Sequence, residues 1–506
     1  MADQGLKPAR IRTGLMRKFY LGPHTLPQLK VVQRFLSETV GANDYLDGLR
    51  RMVRETAFTG QEQDFDAFSF TWRTEEDGRP YVGSGADENP FLVGVSSKKL
   101  LRQADRNPAT FVVHMDATFK CNHVDYPVFV VGITDCCRKF HLMAIFVSSQ
   151  RKEIHFSEAL MALRKVYSQV TGKQLAVRFA MGGADDAQYN AVVRVLGADY
   201  EVEVLMCFYC VAAKVHEKTR KLHHSLYTVV TSGVHDLHFA AGELEYEEAK
   251  TRILNDWALH PGLESFKEYF KQQWLTHRFW RWQVFHTHPA FAVTNNPVET
   301  FNASLKPDYT LRVRIKMGSL LRQLMACCTH ESTTSRSFAV DLAPSVTLVR
   351  GASAMRKAGM LLELQCRHNS IAFLLSNAQE GGSDSAIDVV RVFSRQVPRV
   401  FDPEAKRSRK ALPVTAQLGE QTVRMEIEGM PEGGWPVNTL SWTGPCRYWM
   451  KFAACIHTLL AKHVCGVHAM GKRERLVYRG PHKRQGAYVG GLPGRPCFNA
   501  PALQIE

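Results

Sequence analysis

The sequence predicts an α/β protein with a mixed-sheet core, carrying an α+β N-terminal leader, an all-helical insertion and a small, compact C-terminal module. Two observations carry the prediction. From residue 109 three β-rich runs follow one another, FVVHMD, YPVFVVGIT and KFHLMAIFV, and helical and strand patterns then alternate to residue 222. Adjacent strands followed by alternating helix and strand describe a layered α/β fold. The second observation is an aromatic-rich helical stretch over 223–290, after which a helix-start signal returns in TNNPVETFN.

The elements come in this order. Leu29, Val32, Phe35, Leu36 and Val40 recur at helical spacing between Leu26 and about Phe58. Phe68 to Trp72 alternates like a strand, and EEDGRP reads as a turn, so 1–108 is a leader that packs onto the core downstream of it. In the core, 109–222, DCCRK joins the second and third strands as a hairpin. A helix is expected from about Glu153 to Val170, a strand in LAVRFA, a helix over Ala184–Leu196, a strand in EVEVLM and a helix over Val211–Leu222. Among α/β folds, the ribonuclease H-like arrangement has this order. Rings such as Phe266, Phe270, Trp274 and Trp282 predict that 223–290 packs through aromatics, with a base-stacking surface as the alternative. Residues 291–335 complete the core. Residues 336–424 read as a linker and helical region, with EGGSDS at 380–385 and the charge run KRSRK at 406–410. A compact module spans 425–470, and 471–506 is a basic tail.

Bulk properties narrow the partner. The chain has 506 residues and a formal charge of +15, from 64 Lys+Arg against 49 Asp+Glu. That length suits several domains, and that charge suits a polyanion such as DNA or RNA. The 12 cysteines are scattered and include the adjacent pairs Cys136–Cys137 and Cys327–Cys328, which points to a reducing compartment rather than a secreted disulfide framework. The first twenty residues have no apolar signal-peptide core, and no run of about 18 apolar residues would span a bilayer. The expectation is a soluble intracellular protein.

Three segments carry candidate chemistry. Asp116, in HMDATFK, ends a predicted strand, where α/β folds open their ligand crevice, although aspartate also suits a cap or turn. Glu299, in TNNPVETFN, falls in the first turn of a helix that Pro297 opens and Asn295 or Asn296 caps, and there it also complements the helix dipole. The middle segment, MGGADDAQYNA, places Gly183 after its strand and Asp185 and Asp186 at a helix start.

Taken together, HMDATFK, the strand–acidic–helix segment, a Cys–x–x–His-like spacing and TNNPVETFN resemble the Mutator-like element (MULE) transposases over roughly residues 25–335. The resemblance implies a ribonuclease H-like core and an Asp–Asp–Glu triad that holds two Mg²⁺ ions, which bracket the attacking and leaving oxygens of an in-line phosphoryl displacement. By this resemblance Asp116 is the first magnesium ligand and Glu299 the third. Gly183 fills the slot of the second aspartate and brings no ligand atom, so the centre is expected to be impaired. Asp185 or Asp186 are the candidate substitutes. Cys210 stands where the family has histidine, so Cys207 and Cys210 are either half of a metal site, a redox pair or two buried thiols, with His216 as a polar neighbour. The implied partner is double-stranded DNA, with terminal inverted repeats as the implied target, a nuclear location, and a homo-oligomer as a candidate assembly.

The segment from Gly434 to Gly466 resembles a SWIM zinc finger, whose pattern is Cys–x–Cys, a spacer and Cys–x–His. Cys446, Cys455 and His457 match its last three zinc ligands, and Gly444 takes the first position. His463, Cys465, His468 or water are the candidates for a fourth ligand, and a metal-free mini-domain held by tryptophans is the alternative. The basic tracts 406–410 and 472–484 suit nuclear import or phosphate contact, or else a solvated tail. Three functions fit these features: an impaired MULE-derived DNA-binding protein, an active Mg²⁺-dependent transposase or nuclease, and a non-catalytic regulatory or protein-interaction factor.

Overall fold

A computed structural model describes residues 15, 25–32, 46–334, 336–364, 389–395, 425–467 and the backbone of 399–402 and 407–410. Its centre is a seven-stranded sheet made from β1 (Ala67–Phe70), β2 (Leu92–Ser97), β3 (Val112–Thr118), β4 (Val128–Thr134), β5 (Phe140–Ser148), β6 (Phe179–Gly182) and β7 (Glu203–Met206). The strand order is β1-β2-β5-β4-β3-β6-β7. The first five are antiparallel to their neighbours, while β6 runs parallel to β3 and β7 parallel to β6. Every residue of β4 and β5 is buried. Their largely apolar sequences follow from having both faces covered.

The two faces are covered by different helices. On one side α2 (Glu153–Thr171) and α3 (Asp186–Leu196) bury Phe156, Leu160, Leu163 and Val192 against Phe129, Val131 and Phe146. Phe129 and Phe156 stack at 4.6 Å. On the other side α1 (Leu46–Glu55), α8 (Asn296–Leu305) and α9 (Met317–Thr333) bury Val53, Val298, Leu320 and Leu324 against Val128, Val130 and Ile145. Each such side chain contributes about 1.5–3 kcal/mol on burial.

The register positions the crevice. β6 pairs with β3 only from Val112 to His114, whereas β4 follows β3 through Thr118. Asp116 therefore lies beyond the last β3–β6 pair, and β6 ends at Gly182, next to Gly183. Both positions fall at the carboxyl end of the parallel pair, where open α/β sheets bind ligands.

Several sequence expectations shift. The leader is not a separate layer, because β1 and β2 join the main sheet through β5. β2 itself was not anticipated. Of the helix expected from Leu26 to Phe58, the described parts are a turn at 29–32 and α1; residues 33–45 lie outside the described residues. β6 starts at Phe179, because its partner β3 begins at Val112 and nothing pairs with Leu175–Arg178 on that edge. α4 (Phe208–Thr219) begins directly after Cys207, three residues before the expected start.

The insertion contains α5 (His224–His238), α6 (Glu243–Ala258) and α7 (Glu264–Phe270), followed by a π-helical turn and irregular backbone. It is thus helical only in its first two thirds. Trp257, Trp274 and Trp282 are fully buried, and Trp257 meets Phe270 at 5.3 Å. The rings hold the insertion together, as expected. Gly233 of α5 permits this packing, since a Cβ there would lie 2.9 Å from Ile253 and 3.2 Å from Trp257.

The C-terminal module begins earlier than residue 425. α10 (Val346–Lys357), β8 (Leu361–Glu363) and β9 (Val389–Ser394) share one core with β12 (Trp435–Asn438), α11 (Arg447–Phe452) and α12 (Ile456–Val464). Its sheet has the order β12-β9-β8. β10 (Arg399–Asp402) and β11 (Arg407–Lys410) form a separate hairpin, so most of KRSRK is strand rather than linker. EGGSDS and the tract 472–484 lie outside the described residues. The module docks on the rest of the chain through Arg447, 2.7 Å from Asp236, and through Arg138, which sits over the Phe452 ring at 4.2 Å. Among the described residues no helix is long and apolar enough to cross a membrane.

Candidate active-site crevice and metal-ligating clusters

The crevice is built by clamping α8 to the end of β3. His114 of β3 is fully buried; one ring nitrogen meets Asn295 Oδ1 at 2.9 Å and the other Thr134 Oγ1 at 2.9 Å. Asn295 Nδ2 donates to the Met115 carbonyl at 3.2 Å, and Gln188 Nε2 donates to the same carbonyl at 2.9 Å. Asn302, two turns along α8 from Asn295, donates to Asp116 Oδ2 at 2.7 Å. Asn295 precedes α8, yet its side chain makes no cap hydrogen bond, because it is spent on β3. Pro297 and Glu299 take the first-turn places that the sequence assigns them.

Asp116 and Glu299 are thereby brought to one crevice. Burial pushes the Asp116 carboxyl up, partly offset by the Asn302 hydrogen bond and by the charges of Arg151 and Lys306. Burial also raises Glu299, and the Asp116 charge raises it further. Two half-buried like charges that oppose each other are the electrostatic signature of a site that wants a cation.

The third corner departs from a carboxylate triad. Gly183 is not in a left-handed conformation, and a Cβ there would meet only the Cys210 Sγ, at 3.9 Å. Asp185 does not turn toward this corner. Its Oδ1 caps α3 by accepting from the Gln188 N–H at 3.1 Å, and its Oδ2 pairs with Arg151 at 2.8 Å. Asp186 is exposed and lies 3.5 Å from Arg278. The two candidate substitutes are thus held away from the corner: both oxygens of Asp185 and the charge of Asp186 are engaged elsewhere.

Sulfur faces the corner instead. The ligating atoms of Cys207, Cys210 and Glu299 all lie within 4.8 Å of one another. Cys207 sits between β7 and α4, with its own N–H bonded to the Gly182 carbonyl at 3.0 Å, and its sulfur accepts the Asn295 N–H at 3.2 Å. The hydrogen bond between the two thiols lowers Cys207 and raises Cys210. Sequence reasoning placed these cysteines at a strand–helix junction but did not link them to Glu299. It also missed His114, Asn295 and Asn302 as the framework of the site. A polar residue within an apolar strand and asparagines flanking Pro297 were the available signals.

A second cluster lies in the C-terminal module. Cys446, Cys455 and His457, all buried, bring their ligating atoms within 4.8 Å of one another. His457 Nε2 meets Ser394 Oγ at 3.1 Å, and its Nδ1 is buried without a partner. Two thiols and an orphaned imidazole nitrogen fit a zinc ion, which takes sulfur and nitrogen ligands. Among the described residues neither His463 nor the exposed Cys465 joins the group, and His468 lies outside them. His216, the expected neighbour of Cys210, instead faces Tyr227 at 3.3 Å. None of the described cysteines forms a disulfide.

The fold and crevice define an α/β protein with a carboxylate pair at the mouth of a mixed sheet. Residues 112–214, from the first residue of β3 into α4, match the family model described as the MULE transposase domain. The match ends before Glu299 and before the C-terminal module. No curated protein matches the chain.

Proposed function

We propose that this chain is a MULE transposase-derived DNA-binding protein with a ribonuclease H-like core, whose strand-transfer centre is impaired. The observation that carries this reading is the corner at Gly183. Asp116 and Glu299 retain the places of the first and third carboxylates, while the second place offers no oxygen and the nearest aspartates are tied to Arg151 and Arg278. Mg²⁺ prefers oxygen ligands in octahedral geometry, and two ions need bridging carboxylates. One carboxylate bonded to Asn302 and another beside two thiols do not fit that pair, and no phosphoryl-transfer step is derived through it.

DNA is the partner that the net charge of +15 and the transposase domain favour. A groove of about 1070 Å³ alongside α8 is lined by Arg138, Lys139, Arg336 and Lys451, against the acids Asp308 and Glu331. The C-terminal cluster fits a SWIM-like zinc finger in which Cys446, Cys455 and His457 hold a structural ion. A nuclear location follows from a DNA partner.

The test is a pair of assays on terminal-repeat DNA. The expected result is retention without cleavage, with affinity falling steeply as salt rises, by about 0.9 logarithmic units per tenfold salt for each phosphate neutralised. Mg²⁺- or Mn²⁺-dependent nicking that disappears in Asp116→Ala would overturn the impaired centre. Absence of DNA retention at low salt would leave the regulatory-factor reading.

A further inference from the structure

We infer that Cys207, Cys210 and Glu299 form a binding site for one thiophilic divalent ion of the zinc class, at the corner that Gly183 leaves open. The inference rests on the missing carboxylate at that corner and not on DNA binding. Three observations carry it. The ligand atoms already converge: two sulfurs and a carboxylate oxygen lie within 4.8 Å of one another. A tetrahedral zinc–thiolate site with bonds of about 2.3 Å has ligand–ligand edges of roughly 3.8 Å, so small rotamer changes close the remaining gap.

Second, the carboxylate needs a cation. No described residue donates a hydrogen bond to the Glu299 carboxylate or forms an ion pair with it, although it is half-buried and Asp116 repels it. Arg151 and Lys306 act on Asp116, and Lys451 on Cys207, but no described cation eases Glu299. Third, the framework holds the ligands in place. Cys207 is fixed by the Asn295 N–H at its sulfur, and Asn295 is itself locked to His114. Such outer contacts orient metal ligands. Gly183 adds space, because the only side chain its missing Cβ would approach is Cys210.

The donor set chooses the ion. Thiolates favour zinc-like metals and reject Mg²⁺, which demands hard oxygens. Each ligating thiol releases its proton to solvent as the ion binds. The ion would tie α4 to α8 across the crevice and deny that corner to a catalytic magnesium. Three protein ligands leave a fourth position for water, or for a side chain introduced at residue 183.

The experiment titrates the reduced, full-length chain with Co²⁺ in the absence of DNA, reading sulfur-to-cobalt charge-transfer absorption and bound metal per chain. Replacing both thiols, Cys207→Ser with Cys210→Ser, is expected to remove one ion per chain and its share of the absorption. The cluster at Cys446, Cys455 and His457 serves as an internal check on folding. Glu299→Gln should weaken the lost class by at least about tenfold, the scale of even an outer-sphere change. Gly183→His, which offers an imidazole beside Cys210, should tighten it by about tenfold or more. Unchanged cobalt uptake after removing both thiols, or displacement of this ion by excess Mg²⁺, overturns the proposal. DNA retention, measured separately, reports on the DNA-binding function alone.

Discussion

The crevice at the sheet end and the cluster in the C-terminal module present the same kind of gap. Each places a glycine where its resemblance expects a ligand, Gly183 in one and Gly444 in the other, and each still gathers three ligating atoms within 4.8 Å. They differ in where the glycine points. A Cβ at Gly183 would face the Cys210 sulfur at 3.9 Å, whereas one at Gly444 would press on the Pro436 carbonyl at 3.3 Å. They also differ in burial: Cys446, Cys455 and His457 are all interior, while Cys210 and Glu299 are half-open. A missing ligand can be supplied by substitution where the gap opens onto the remaining ligands. Where it opens onto backbone, the surviving three must suffice.

The largest effect expected from this comparison is on folding. Chelation of the ion proposed at Cys446, Cys455 and His457, or Cys455→Ser, should unfold the module around α12 while the seven-stranded sheet survives. Structural zinc contributes about 10 kcal/mol or more of apparent folding energy in zinc-finger peptides. Hydrogen exchange resolved by segment would read this, and cooperative loss of the central sheet would show that the two regions are one unit.

Acid should strain the crevice next. Burial holds His114 down at about 4, below the ordinary value of 6.5. The unfolded chain therefore takes up the proton first. The stabilisation is present above pH 6.5 and is lost as pH falls toward 4, by roughly 3 kcal/mol at most for this group. Urea midpoints measured across that window should fall with pH. His114→Gln, which retains hydrogen-bonding groups for Asn295 and Thr134, should flatten the fall; an unchanged slope would move its origin to other histidines.

Glycine replacement sharpens the contrast at smaller scale. Gly183→Asp should create or strengthen divalent-cation binding at the crevice, while Gly444→Cys should gain less at its own cluster. Calorimetry on both variants decides, and equal responses would erase the distinction drawn from the two Cβ positions. The smallest effect belongs to Arg151→Ala. Its partly exposed bridge to Asp185 should cost less than about 1 kcal/mol. It should not recruit Asp185 to a metal, since Oδ1 still caps α3. New Mg²⁺ binding in that variant would reopen Asp185 as a substitute ligand.

Much of this was legible in the chain itself. Largely apolar, β-rich runs marked β3, β4 and β5, because strands covered on both faces need them, and Pro297 announced α8. The acidic residues and the glycine gap were also visible, because residue type alone decides whether a ligand atom exists. Other features depended on contacts between distant segments. β2 became part of the main sheet through its pairing with β5, and α10, β8 and β9 joined the C-terminal core across a long stretch of chain. Asn295 looked like a cap until His114, 181 positions away, claimed its side chain.

Local chemistry is written in residue types and their spacing, so the sequence determined the strands of the core, the carboxylates at its mouth and the absence of an oxygen at residue 183. Only the tertiary structure decided that Glu299 would meet two sulfurs instead of a third acid, and that Asp185 would turn to an arginine. Those choices depend on which segments the sheet register and the clamp on α8 bring within a few ångströms, and that proximity is a property of the packed chain, not of neighbours along it.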